Sequence, residues 1–103
     1  MQANKKLKLE ELGRIDVETF KKTEKTPLVV VLDNVRSMHN VGAVFRTADA
    51  FLVEKIILCG ITPQPPHREI HKAALGATES VDWVYEKDIA TALQNLKKEN
   101  FNI

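Results

Sequence analysis

Leu28-Val29-Val30-Val31-Leu32 is apolar and β-branched, without alternation. Such a run predicts a strand buried on both faces, as in a parallel sheet. Pro27 marks its entrance. Farther on, Val41, Val44, Phe45, Ala48, Phe51 and Leu52 recur at the spacing of one buried helical face, predicting a helix over about 41–52. Lys55-Ile56-Ile57-Leu58-Cys59 reads as the next strand, ending at Gly60. Strand, helix and strand make a βαβ unit, for which a right-handed crossover is nearly obligatory.

Residues 61–80 form a long connection broken by Pro63, Pro65 and Pro66. Pro66 suits the first position of a short helix from His67 to Leu75, which Gly76 would end. Val81-Asp82-Trp83-Val84-Tyr85 alternates like a third strand. Trp83 and Tyr85 share one face of it and are expected in the core rather than as base-stacking platforms. Asp88 is placed to cap a helix whose inner face is Ile89, Ala92, Leu93 and Leu96, with Lys97 and Lys98 at its C-terminal end. Phe101-Asn102-Ile103 begins another apolar run, so the chain reads as cut inside an element. A sheet finished there would leave an unpaired edge and apolar faces open. The order predicts an α/β fold with a mostly parallel sheet. Residues 1–26 are polar and charge-rich, and read as two short helices broken near Gly13. Such an arm would pack on the domain or on a partner subunit.

A chain of 103 residues has room for one small domain or a piece of a larger one. Its 15 Lys and Arg nearly balance 14 Asp and Glu, so any basic footprint for nucleic acid must be local. Cys59 is the only cysteine, which excludes an intrachain disulfide and a cysteine-rich zinc site. A reducing, cytoplasmic setting fits. No apolar run approaches the roughly 20 residues that a membrane helix needs.

Chemistry is expected at the polar turn after the first strand, where a parallel α/β protein usually builds its site. Asn40 precedes the first periodic apolar residue and is a candidate N-cap. Gly42, Arg46 and Asp49 share a face away from Val44, Phe45 and Ala48. Gly42 leaves space for a backbone or a nucleotide to approach. Arg46 offers a planar donor fork for phosphate or ribose oxygens, or else a surface ion pair with Asp49. Arg36 is a plausible phosphate contact. Asn34 and Ser37 more often stabilise turns, and His39 lines the same turn. His67, Arg68, His71 and Lys72 form a small basic cluster. The two histidines have helical metal-pair spacing but no obvious third ligand, so no metal site is expected. Asp33 is a lone carboxylate, and no paired-acid mechanism follows from it.

The pattern N-x-x-S-x-x-N-x-G-A-x-x-R-T-A-D-A-F, from Asn34 to Phe51, resembles the first motif of the SpoU/TrmH branch of the SPOUT RNA methyltransferases. His67–Ser80 (HREIHKAALGATES) is similar to that family's connection after its second strand. The resemblance implies the N-terminal part of a Rossmann-like α/β-knot domain over 27–103, behind an arm over 1–26. It implies methyl transfer from S-adenosylmethionine to a ribose 2′-hydroxyl of tRNA or rRNA by a homodimer. By resemblance Arg46 is catalytic and Asn40 helps to place it. Asn34, Arg36, Ser37, His39, Arg68 and Lys72 would face RNA. The family's cofactor sits in a later knot whose motifs are not visible here. No cofactor-binding residue is therefore expected in this stretch, which would be inactive alone. An arginine side chain is a poor base, so Arg46 is expected to orient ribose and phosphate and to stabilise developing negative charge. Two other readings stand beside this one. The first is a non-catalytic RNA-binding or regulatory α/β module. The second is a flavodoxin-like domain holding an anion at the helix that follows the Asn40 turn.

Overall fold

The computed structural model describes residues 25–103. The arm expected over 1–26 lies outside the described residues except for its last two. The chain then runs β1 (Thr26–Asp33), α1 (Met38–Ala50), β2 (Val53–Cys59), α2 (Arg68–Ala74), α3 (Ala77–Ser80), β3 (Trp83–Glu86) and α4 (Ile89–Lys98). The three strands form one sheet in the order β1-β2-β3, and both pairings are parallel.

Register sorts the side chains into two faces. Val30, Ile56 and Trp83 form one row across the sheet, and Leu32, Leu58 and Tyr85 another. Ile56 and Leu58 are fully buried against Val41, Phe45 and Ala48 of α1, Ile70 and Ala74 of α2, and Ala77 of α3. The alternate positions Val31 and Ile57 lie on the other face, where Ile57 and Cys59 pack on Ala92 and Leu96 of α4. Two crossovers therefore lie on one face and α4 on the other. β2 is the strand buried from both sides. The more uniformly apolar β1 is only half-buried, and Leu28 is 50% exposed. Among the described residues β1 has a neighbour on one side only, so a run suited to a sheet centre sits at an edge.

Several boundaries shift for local reasons. α1 starts at Met38 rather than near Val41, because Ser37 caps it. α2 ends on Leu75, which takes the left-handed conformation (φ 50°), and the expected stop, Gly76, follows with φ 89°. Gly76 precedes the short α3, which sequence periodicity does not announce. Asp88 caps α4 as expected, its Oδ1 accepting from the Ala90 amide at 3.0 Å.

The tightest contact is at Gly42. A Cβ there would sit 2.5 Å from the Ile70 carbonyl oxygen and 2.7 Å from the Ala73 Cβ. The missing side chain thus admits the backbone of α2 and no nucleotide. Gly42 is buried, which corrects its expected place on an open face. Gly42→Ala should destabilise the protein by about 1–2 kcal/mol, since overpacking outweighs the gain in helix propensity. Urea denaturation reads this directly. A more stable variant would mean that α1 and α2 do not meet so closely.

Candidate functional site

β1 ends at Asp33, and the chain turns through Asn34-Val35-Arg36 into the cap of α1. This turn is laced to the loop after β2. The Cys59 carbonyl accepts from the amides of both Asn34 and Thr62, each at 3.2 Å. Asn34 is left-handed (φ 56°), a conformation that asparagine tolerates better than most residues. Its Oδ1 accepts from the Ile61 amide at 3.0 Å, and its side chain lies over Gly60, itself at φ 63°. The Thr62 hydroxyl donates to the Leu32 carbonyl at 3.1 Å and accepts from the Val35 amide at 3.0 Å. Tyr85 adds a bond from its hydroxyl to the Gly60 carbonyl at 2.7 Å. Two adjacent strand ends thereby hold one turn.

Ser37 is the N-cap, its Oγ accepting from the Asn40 amide at 3.1 Å. This corrects the capping role expected of Asn40, which lies inside the first turn. Two residues favoured as caps stand three apart, and the earlier one takes the extended conformation that a cap requires. Arg36, His39 and Asn40 are exposed around that turn. Asn40 lines an open apolar groove of about 420 Å³ between β1 and α1, with Leu28, Val44 and Phe51 among its walls. Phe51 is 68% exposed, so it flanks this groove rather than joining the core as its spacing implies.

Arg46 is exposed, as expected. Helical geometry sets it about 120° around α1 from Asn40 and about 9 Å along the axis, so the two do not share a face. His39, seven residues earlier, does share one with Arg46. Among the described residues no ion pair joins Arg46 to Asp49. Asp49 is half-buried instead, and burial raises its carboxyl above the ordinary 3.8, opposed by the charge of Lys25.

Gly42 brings α2 alongside α1. Arg68 and Lys72 are exposed on α2. His67 is committed to capping, its Nδ1 accepting from the Glu69 amide at 3.2 Å. His71 shares a hydrogen bond with Thr78 at 3.2 Å. Among the described residues no group of three or more His, Cys, Asp or Glu is placed to hold a metal ion. No helix of the described residues is long and apolar enough to cross a membrane.

Both faces of the sheet carry charge, and the α4 side mixes acids with Lys55, Lys97 and Lys98. Asp33, Cys59 and Glu86 form the last row of the sheet, on the α4 side. Burial pushes the Cys59 thiol up, and Asp33, Glu86 and Asp88 push it further. Cys59 is therefore held as the thiol and is a poor nucleophile. On the opposite face α1, its entry turn and α2 expose Arg36, His39, Arg46, Arg68 and Lys72, with Glu69 in the first turn of α2. Trp83 packs against the core as expected, whereas Tyr85 is 38% exposed and bound to Gly60. Thr62 carries no sequence signal beyond following a strand-ending glycine, and its role emerges only when β1 and β2 lie side by side.

The chain is thus of the parallel α/β class, with a polar turn at the strand carboxyl ends where such sheets build their sites. Residues 27–103 match the SpoU rRNA Methylase family, and the chain belongs to that family. It is similar to the 23S rRNA (guanosine-2′-O-)-methyltransferase RlmB of Vibrio parahaemolyticus, with 33% identity over 86% of this chain and 36% of that one. The enzyme of the same name from Pseudomonas putida is 36% identical over 79% of this chain and 33% of its own. Among solved structures, the AdoMet-bound rRNA methyltransferase of Sinorhizobium meliloti superposes with a TM-score of 0.64 at 26% identity, over 76% of this chain and 30% of that one. The SpoU methyltransferase AviRb of Streptomyces viridochromogenes shares the fold, with a TM-score of 0.67 at 19% identity. The chain spans about a third of the length of these relatives.

Two measurements test the local chemistry. Ser37→Ala should cost about 1 kcal/mol, the usual value of a lost N-cap. Equilibrium unfolding checks it, and an unchanged midpoint would restore the cap to Asn40. Asp49→Asn tests burial. With the folded value raised, the native state holds the proton more tightly than the unfolded chain. Stability therefore falls as pH climbs from 3.8 through the raised value. The variant should be the more stable at neutral pH, and its advantage should vanish below pH 3.8. A pH-independent difference would remove the carboxylate's burial as the cause.

Proposed function

We propose that this chain is the RNA-recognising part of a SpoU-type ribose 2′-O-methyltransferase acting on rRNA or tRNA with S-adenosylmethionine as methyl donor. The observation that carries this reading is the basic face. Arg36, His39, Arg46, Arg68 and Lys72 are exposed on the α1–α2 side, while the acids that end the sheet lie on the other. A chain with balanced charge thereby offers phosphates a local positive surface. Asn34 and Ser37 shape the turn that carries Arg36. In this reading Arg46 orients ribose and phosphate and stabilises negative charge developing on the 2′-oxygen, while Asn40 bounds the site from the groove side.

In this reading the methyl donor is held by polypeptide outside residues 25–103, as the family resemblance implies. Gly60, the glycine at the strand ends, is covered by the Asn34 side chain and bonded to Tyr85. The β1 edge, which has no second neighbour among the described residues, supports a junction with further polypeptide carrying the donor site. α4 returns Phe101, Asn102 and Ile103 to a groove shared with Pro27, Leu28, Val29 and Val31. Exposed Leu28 on β1 supports self-association as a homodimer, and the free, buried Cys59 fits a reducing, cytoplasmic setting.

Fluorescence anisotropy with a labelled rRNA stem-loop tests the reading. Arg36→Ala, Arg68→Ala and Lys72→Ala should each weaken binding and reduce the salt slope by about one unit. Arg46→Lys should recover little of what Arg46→Ala loses, because a point charge cannot reproduce the fork. Calorimetric titration with S-adenosylmethionine should give no binding heat. RNA affinity untouched by all four alanine substitutions would end the proposal, and micromolar donor binding would relocate the site.

A further inference from the structure

Thr62 is 3% exposed and is the buried polar residue of the described core. Its single hydroxyl makes two bonds to one neighbouring segment: it donates to Leu32, the penultimate residue of β1, and accepts from Val35, inside the turn. These bonds straddle Asp33 and Asn34, so they fix the angle at which the chain leaves β1. Val35 itself packs against the core, and the next residues are exposed Arg36 and the cap Ser37. A hydroxyl is the smallest group that both donates and accepts, and valine of the same shape does neither. The β2 loop has further hold on this turn through Ile61 and Asn34. All of it reaches Arg36 through backbone, because Thr62 is buried while Arg36 is exposed.

We propose that Thr62 is a positioning residue for RNA recognition, its hydroxyl setting the turn that presents Arg36 and launches α1. This rests on the functional reading above. Thr62 touches no RNA. It acts by keeping the Arg36 backbone in one place, which lowers the ordering cost of binding. The prediction is a coupling between two residues that do not meet.

The test is a double-mutant cycle read by anisotropy with the same rRNA stem-loop, alongside thermal melting of each variant. Thr62→Val should weaken binding about tenfold, the loss that corresponds to about 1.4 kcal/mol. Thr62→Ser, which keeps the hydroxyl, should stay within about twofold of the unsubstituted chain. In an Arg36→Ala background, Thr62→Val should have no further effect on affinity, although it lowers the melting temperature equally in both backgrounds. Should Thr62→Val fail to fold, Thr62→Cys carries the same cycle, since a thiol is a weak donor and acceptor. Equal losses in both backgrounds would overturn the inference and leave Thr62 a stabilising residue only. So would unchanged affinity for Thr62→Val or failure of serine to rescue. Absence of RNA binding by the unsubstituted chain would overturn the functional reading, and this inference with it.

Discussion

The exposed α1–α2 surface depends on the close approach of the two helices at Gly42. With the Ile70 carbonyl only 2.5 Å from where a Cβ would stand, no side chain fits between the helices. That contact sets side by side two helices that each expose basic residues. Arg46 and His39 belong to a helix in the first crossover, Arg68 and Lys72 to a helix in the second. A wider gap would leave each as a solvated helix surface, where isolated charges contribute little. Interiors are packed densely enough that one absent methyl group decides such a distance.

The sheet supplies the second constraint. Parallel strands put all their carboxyl ends on one side, so the loops after β1 and β2 are neighbours. Here they are bonded to one another through Asn34, Ile61, Thr62 and the Cys59 carbonyl. Backbone polar groups in a turn must find partners, and this one finds them in the adjacent loop rather than in water. The same register that brings these loops together places Asp33 and Glu86 beside Cys59, on the face turned from α1. Strand alternation thereby sets these two acids apart from the α1–α2 side, while the α4 side also carries Lys55, Lys97 and Lys98.

Much of this was legible in order and spacing. The apolar runs, Asp88, and the period of Val41, Phe45 and Ala48 specify strands and helices because burial repeats every two residues in a strand and every three to four in a helix. The motif from Asn34 to Phe51 also identified the family, to which residues 27–103 indeed belong. Local ambiguity defeated the pattern at Ser37 and Asn40, two capping residues three apart, and at Leu75 and Gly76, where the bulkier residue ends the helix.

What the sequence by itself determined is the kind of elements, their order and the residues on the loop after β1, because those follow from local propensity and periodicity. Tertiary structure decided the rest. Gly42 looked like an opening and is a contact, since what fills it comes from a helix some thirty residues away. β1 looked central and is half-buried, since burial depends on neighbours rather than on composition. Thr62 looked like a loop residue and holds the turn, since its partners are 27 and 30 residues distant in the chain. Non-local contacts of this kind leave no period in the sequence, and only the folded sheet brings them within hydrogen-bonding reach.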